Sequence, residues 1–175
     1  MSDSHSFLDE AIFTYFKECD EIWHAGDFGD VALLDKLKKF KPVRGVYGNI
    51  DGAEVRTEVP LEMHWECEGL PVYMIHIGGY PGGYERGVKT KLGQLRPKLF
   101  IAGHSHILRV MRDQALDGML HMNPGACGHK GWHTMRTLLR FTVEAAKVSQ
   151  VEAIELGPRG RGVVDGGPAE KSEDV

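Results

Sequence analysis

Five short segments of this 175-residue chain each place a metal-ligating side chain just past an apolar stretch, and a fold for it must bring those segment ends together. The plainest is Gly103-His104-Ser105-His106, which follows the apolar run Leu99-Phe100-Ile101-Ala102. The others are Ser2-Asp3-Ser4-His5, Gly26-Asp27-Phe28-Gly29-Asp30, Gly48-Asn49-Ile50-Asp51, and His76 after Val72-Tyr73-Met74-Ile75. Carboxylates, imidazoles and one carboxamide make a hard-to-borderline donor set. Such a set suits Mn, Fe, Ni, Zn or Mg rather than a thiolate-bound soft metal.

The stretches between these segments alternate in period. Leu8, Ile12, Tyr15, Phe16 and Cys19 predict a helix over Phe7–Cys19, capped by Ser4 or Ser6 with Asp9 and Glu10 in its first turn. Glu21–Ala25 reads as a buried strand, Asp30 caps a second helix that Pro42 stops, and Val43–Tyr47 is the next strand. Strand-helix-strand order is the mark of a parallel α/β sheet. Val55–Glu66 and Leu70–Ile77 read as a hairpin, and Gly78–Gly83 as a glycine-rich loop. Tyr84–Leu95 reads as a helix and Leu99–Ala102 as a strand. Ile107–Met111, Met119–Met122, Thr137–Thr142 and Val148–Leu156 read as strands of a second, more antiparallel sheet. Residues 157–175 are rich in glycine, proline and charge and read as a disordered tail after a single domain over 1–156.

Composition removes several function classes. A net charge of -4 provides no broad basic surface for long nucleic acid. No apolar run approaches the roughly 20 residues of a membrane span, and the amino terminus has no signal-peptide pattern. Cys19, Cys67 and Cys127 are odd in number and form no CxxC pair, which reads as reduced thiols in a cytoplasmic protein.

In order and content, the five segments resemble the calcineurin-like metallophosphoesterase superfamily, most of all its small YfcE-type phosphodiesterase branch. The family pattern D-x-H, GD-x-x-D, GN-x-D/E, H and GH-x-H matches Asp3-Ser4-His5, Gly26 to Asp30, Gly48 to Asp51, His76, and Gly103 to His106. The resemblance implies an α/β fold, a four-layer αββα sandwich of two mixed sheets flanked by helices. It implies two divalent metal ions, manganese first and Fe, Ni, Zn or Mg next. Asp3, His5, Asp27 and His106 would hold one ion, and Asp27, Asn49, His76 and His104 the other, with Asp27 bridging. Asp27, Asn49 and His104 are the residues assigned to catalysis. Asp30 and Asp51 would support the ligands from behind. The implied reaction is hydrolysis of a small phosphodiester by a metal-bridging hydroxide.

Two departures stand out. Ile50 occupies the place of a histidine that many members use to assist the leaving group, so His24, His129 and His133 become candidates for that task. Only Met1 and Ser2 precede Asp3, so the first strand is expected to be truncated. Either the chain begins inside a longer natural sequence, or the sheet has an open slot that loosens Asp3 and His5. His64 and His121 read as strand residues without a role. Taken singly, each segment has a plainer meaning: a polar turn, a helix cap, a satisfied core histidine. The same fold also serves as a protein-interaction subunit of the eukaryotic retromer, so a non-catalytic scaffold is the alternative function, with a phosphomonoesterase ranked below it for want of an arginine clamp. A homo-oligomer is left open.

Overall fold

Successive side chains of a strand point to opposite faces, and here that alternation sorts apolar residues into three separate cores. Ile22 and Leu138 join Leu34, Leu37, Val55 and Ile154 in one core. Their chain neighbours Trp23 and Leu139 join Val72, Met74, Leu99, Ile101 and Met122 in a second. Tyr73 and Phe100, between the strand residues just named, turn away to join Val88 and Leu92 in a third. A strand that feeds two cores is covered on both faces, so the molecule is built as helix, sheet, sheet, helix.

The structure is a computed structural model, and it describes residues 1–160. In chain order the elements are α1 (Ala11–Tyr15), β1 (Ile22–His24), α2 (Val31–Phe40), β2 (Val43–Gly45), α3 (Ala53–Glu58), β3 (Glu62–Cys67), β4 (Leu70–Ile75), β5 (Gly79–Tyr80) and β6 (Gly83–Tyr84). They continue as α4 (Val88–Leu95), β7 (Leu99–Ile101), β8 (Leu108–Asp113), β9 (Met119–Pro124), β10 (Met135–Glu144) and β11 (Lys147–Pro158). A five-stranded sheet runs β3-β4-β7-β9-β8. Its central strands β4, β7 and β9 are parallel, and β3 and β8 are antiparallel edges. The other layer holds the parallel pair β1-β2 and the antiparallel pair β10-β11.

Residues 1–5 and 126–128 lie between those two pairs. The amide of Asp3 donates to Gly26 O at 2.9 Å, and that of Ala25 to Met1 O at 3.0 Å. On the other side Cys127 N donates to Ser2 O and Gly128 N to Asp3 O, each at 3.1 Å, while Thr137 N donates to Ala126 O at 2.9 Å. No strand is assigned to residues 1–5. The slot expected to loosen Asp3 and His5 is nevertheless filled at its ligand end, and Asp3 is fully buried.

Several element readings change, among them the fourth helix, which starts at Val88 because Tyr84 belongs to β6. Val55–Glu58 belongs to α3, not to a hairpin strand, because Val55 and Val59 sit four residues apart and both bury against α2. The first helix shrinks to Ala11–Tyr15 because residues 5–8 are committed to a loop, and Asp9 supplies the side-chain bond to Ala11 N at 2.9 Å. The glycine-rich loop closes as the short β5-β6 hairpin. The four late strands divide, β8 and β9 joining β4 and β7, and β10 and β11 the other layer. The last strand also runs to Pro158, into the stretch read as tail; residues 161–175 of that tail lie outside the described residues.

Candidate metal centre

Turns at the carboxyl ends of β1, β4 and β7 carry most of the ligating side chains. Asp27 follows β1, His76 follows β4, and His104 and His106 follow β7. Asp3 and His5 arrive alongside on the segment paired with β1. The ligating atoms of Asp3, His5 and His106 lie within 4.8 Å of one another, and so do those of Asp27, His76 and His104. Asp27 stands between the two groups. Its Oδ2 is 3.8 Å from His5 Nε2, and its Oδ1 is 3.3 Å from His76 Nε2. Asn49 Oδ1 lies 3.1 Å from His76 Nε2. All seven candidate ligands therefore converge.

The backbone is strained where it turns. Asp3, His5, Asp27, His104 and His106 have φ of 54°, 48°, 57°, 66° and 57°. Non-glycine residues seldom occupy this left-handed region, and each costs on the order of 1–3 kcal/mol unless its surroundings hold it there. Hydrogen bonds do so. His104 N donates to Asp3 Oδ2 at 3.2 Å, Gly103 N to His76 O at 3.0 Å, and Asn123 Nδ2 to Gly103 O at 2.8 Å. Gly48 has to be glycine for lack of room, since a Cβ there would stand 2.0 Å from Asp27 Oδ1.

Asp51 accepts from Gly48 N at 2.7 Å and from Gly29 N at 2.8 Å, which ties the Asn49 turn to the Asp27 loop. Asp30 is exposed and accepts from Ala32 N at 2.9 Å, at the start of α2. Of the three histidines considered for the leaving group, none is free to swing. His24 is buried, accepts from Gly26 N at 3.2 Å and bonds Ser4 Oγ at 2.9 Å. His129 bonds Arg159 O and packs on Phe7. His133 donates from Nε2 to Gly128 O at 3.0 Å, so its Nδ1 accepts from His106 Nδ1, 3.2 Å away.

The last contact fixes a tautomer. With its Nδ1 donating, neutral His106 presents a bare Nε2, and that atom faces Asp3 Oδ1 at 3.1 Å. His76 behaves likewise, since its Nδ1 donates to Ala25 O at 2.7 Å. Its bare Nε2 then faces the oxygens of Asn49 and Asp27. Acceptors face acceptors, and a proton or a metal ion must lie between them. Asp3 Oδ1 is buried with no hydrogen-bond partner, and among the described residues no lysine or arginine pairs with Asp3 or Asp27. The donor set, its tautomers and this orphaned oxygen all fit divalent cations. Burial raises the Asp27 pKa, but its bonds from His76 and Ile50 N outweigh this and hold the carboxyl below the usual range. Burial lowers the His5 pKa, and the pull of Asp27 and Asp3 does not restore it. Sequence reasoning overlooked Ser2, which donates to Asp3 Oδ2 at 2.6 Å, and the bond by which Asn123 holds Gly103 O.

The family model described as the calcineurin-like phosphoesterase superfamily domain matches residues 1–146. This chain belongs to that superfamily. A probable metallophosphoesterase of Methanothermobacter thermautotrophicus is 32% identical over 133 residues, covering 72% of this chain and 74% of the relative. Among solved structures, Vps29 of Chaetomium thermophilum aligns with a TM-score of 0.69 at 15% identity, over 90% of this chain and 96% of the other. A structure described as a novel archaeal phosphodiesterase aligns with a TM-score of 0.68 at 18% identity, over 89% and 97% of the two chains. At that identity the two structures show a shared fold, the four-layer sandwich expected of the family. Among the described residues no helix is long and apolar enough to cross a membrane.

Proposed function

We propose that this protein is a metal-dependent phosphodiesterase that hydrolyses a small phosphodiester at a dinuclear centre. One observation carries the reading: Asp27 turns one carboxylate oxygen toward each of two ligand groups. In this reading Asp3, His5, Asp27 and His106 hold one divalent ion, and Asp27, Asn49, His76 and His104 the other, with manganese the first candidate. When bound, such a pair lowers the pKa of a water molecule and neutralises charge developing on the phosphoryl oxygens.

The protein's own part is orientation. Ala25 O and His133 fix the tautomers of His76 and His106, and Asp51 holds the turn that offers Asn49. Asn49 adds a ligand oxygen without adding negative charge, which leaves the centre more attractive to a phosphodiester anion. With His24, His129 and His133 engaged elsewhere, esters with low-pKa leaving groups are the best substrates. The relative named a probable metallophosphoesterase supports the hydrolase class, and the neighbour titled an archaeal phosphodiesterase supports the diester. A scaffold could shed ligands freely, and the full set here favours the enzyme. The test is elemental analysis with a generic aryl phosphodiester assay. Two metal equivalents and turnover support the reading; no bound metal and no turnover at saturating manganese would overturn it.

A further inference from the structure

A cavity of about 120 Å³ lies beside the metal centre, and His104 lines it. Ile77, Tyr80 and Ile107 give it apolar walls, and Glu85, Arg109 and His121 give it polar ones. The Arg109 guanidinium lies 3.9 Å from the centroid of the Tyr80 ring. Among the described residues no carboxylate pairs with it. His121 is buried, and neither of its ring nitrogens has a hydrogen-bond partner. Burial, helped by Arg109, pushes its pKa down to about 4, so at neutral pH it is an imidazole with one donor and one acceptor to satisfy.

We propose that this cavity is the subsite for one arm of the phosphodiester, and that the arm is a single six-membered ring with a carbonyl beside an N–H, as in a pyrimidine base. Its link to catalysis rests on the phosphodiesterase reading above. Size supports one ring: the volume is close to the roughly 150 Å³ of a cavity that holds benzene, and a fused bicycle would not sit wholly inside it. Charge supports the edge. Arg109 donates to the carbonyl and Glu85 accepts from the N–H. A carboxylate or second phosphate would meet Arg109 but be repelled by Glu85. A bare phenyl ring would displace water from Arg109 and return nothing.

The p-nitrophenyl esters of thymidine 5′-phosphate, adenosine 5′-phosphate and methyl phosphate share one leaving group, so their kcat/KM ratios report the other arm. With the manganese-loaded protein the thymidine ester should exceed the methyl ester by about tenfold, and the adenosine ester should gain less. Arg109→Gln and Glu85→Gln should each lower the thymidine-to-methyl ratio; Glu85 is exposed, so its variant keeps the test open if the other fails to fold. Thymidine titrated into metal-free protein should shift the NMR ring signals of Tyr80 and His121 saturably, and bind about tenfold more weakly to Arg109→Gln. The assignment is overturned if thymidine moves neither ring, if the adenosine ester matches the thymidine ester, or if both variants keep the wild-type ratio. Ring shifts without turnover of any ester would instead overturn the hydrolase reading and uphold the subsite.

Discussion

His76 and His121 are equally buried, each 1% exposed, and they respond to burial in opposite ways. Both belong to the five-stranded sheet, His76 just past β4 and His121 within β9. Desolvation lowers the pKa of each. At His76 the hydrogen bond it gives to Asp27 and the charges of Asp3 and Asp27 outweigh it, and the pKa rises. At His121 Arg109 adds to the effect, the Phe100 backbone and Asp113 pull upward too weakly to compensate, and the pKa falls to about 4. One end of the sheet thus has buried carboxylates that raise a neighbouring imidazole's pKa, and the neighbouring cavity has an imidazole kept neutral by burial. The same residue type at the same depth stands among candidate metal ligands in one place and in a cavity wall in the other. The carboxylates make the difference.

Removing the carboxylate is the strongest way to break that contrast. Asp27→Ala should cost at least about 10³-fold in turnover at saturating manganese, and lower bound metal below two equivalents. In the metal-free variant His76 should titrate lower than in wild type, moving toward the behaviour of His121. Retained turnover, or an unmoved His76 signal, would count against the bridging role. Next in size, His133→Ala should weaken one metal site by about 10–100-fold, because His106 loses the partner that fixes its tautomer. Calorimetric titration should show the other site little changed; equal weakening at both would sink the tautomer argument. Gly48→Ala should cost about 1–3 kcal/mol in denaturant unfolding, since its Cβ would press on Asp27 Oδ1. Wild-type stability in that variant would show that the turn has slack.

The candidate ligands could be picked out in the sequence because their motifs, in order, resemble a family pattern, and the structure brings those side chains together. The layered fold was legible for the same reason, with the strand-helix-strand start at Glu21–Tyr47 as support. What remained illegible was local ambiguity settled by tertiary contact. Val55, Thr57 and Val59 fit a strand period, and Val55 and Val59 fit a helix equally well; packing on α2 decides. The early helix lost its first turn to the loop that carries His5, a cost no propensity reveals. His133 was a candidate in the sequence, but only the fold shows that its Nδ1 meets His106. His121 looked idle because an unsatisfied imidazole is visible only once its neighbours are in place.

The smallest effect isolates His121. Its folded pKa of about 4 lies below the ordinary value of 6.5, so between those values the unfolded chain binds the extra proton. Stability contributed by keeping the ring neutral is therefore intact above 6.5 and declines as pH falls toward 4. From pH 7 to about 5.5 this one group should cost about 1 kcal/mol. His76, with its pKa raised, works with the opposite sign: in metal-free protein its contribution is present below 6.5 and is lost as pH rises through its folded value. A wild-type pH profile mixes the two slopes. His121→Phe keeps an aromatic ring against Phe100 and removes the titrating nitrogens, so only the His76 slope and those of other groups remain. Urea unfolding of metal-free His121→Phe at pH 7 and 5.5 should then lose about 1 kcal/mol less than wild type over that interval. An unchanged difference would mean that His121 is protonated or solvated in the folded state, and the contrast between the two buried histidines would disappear with it.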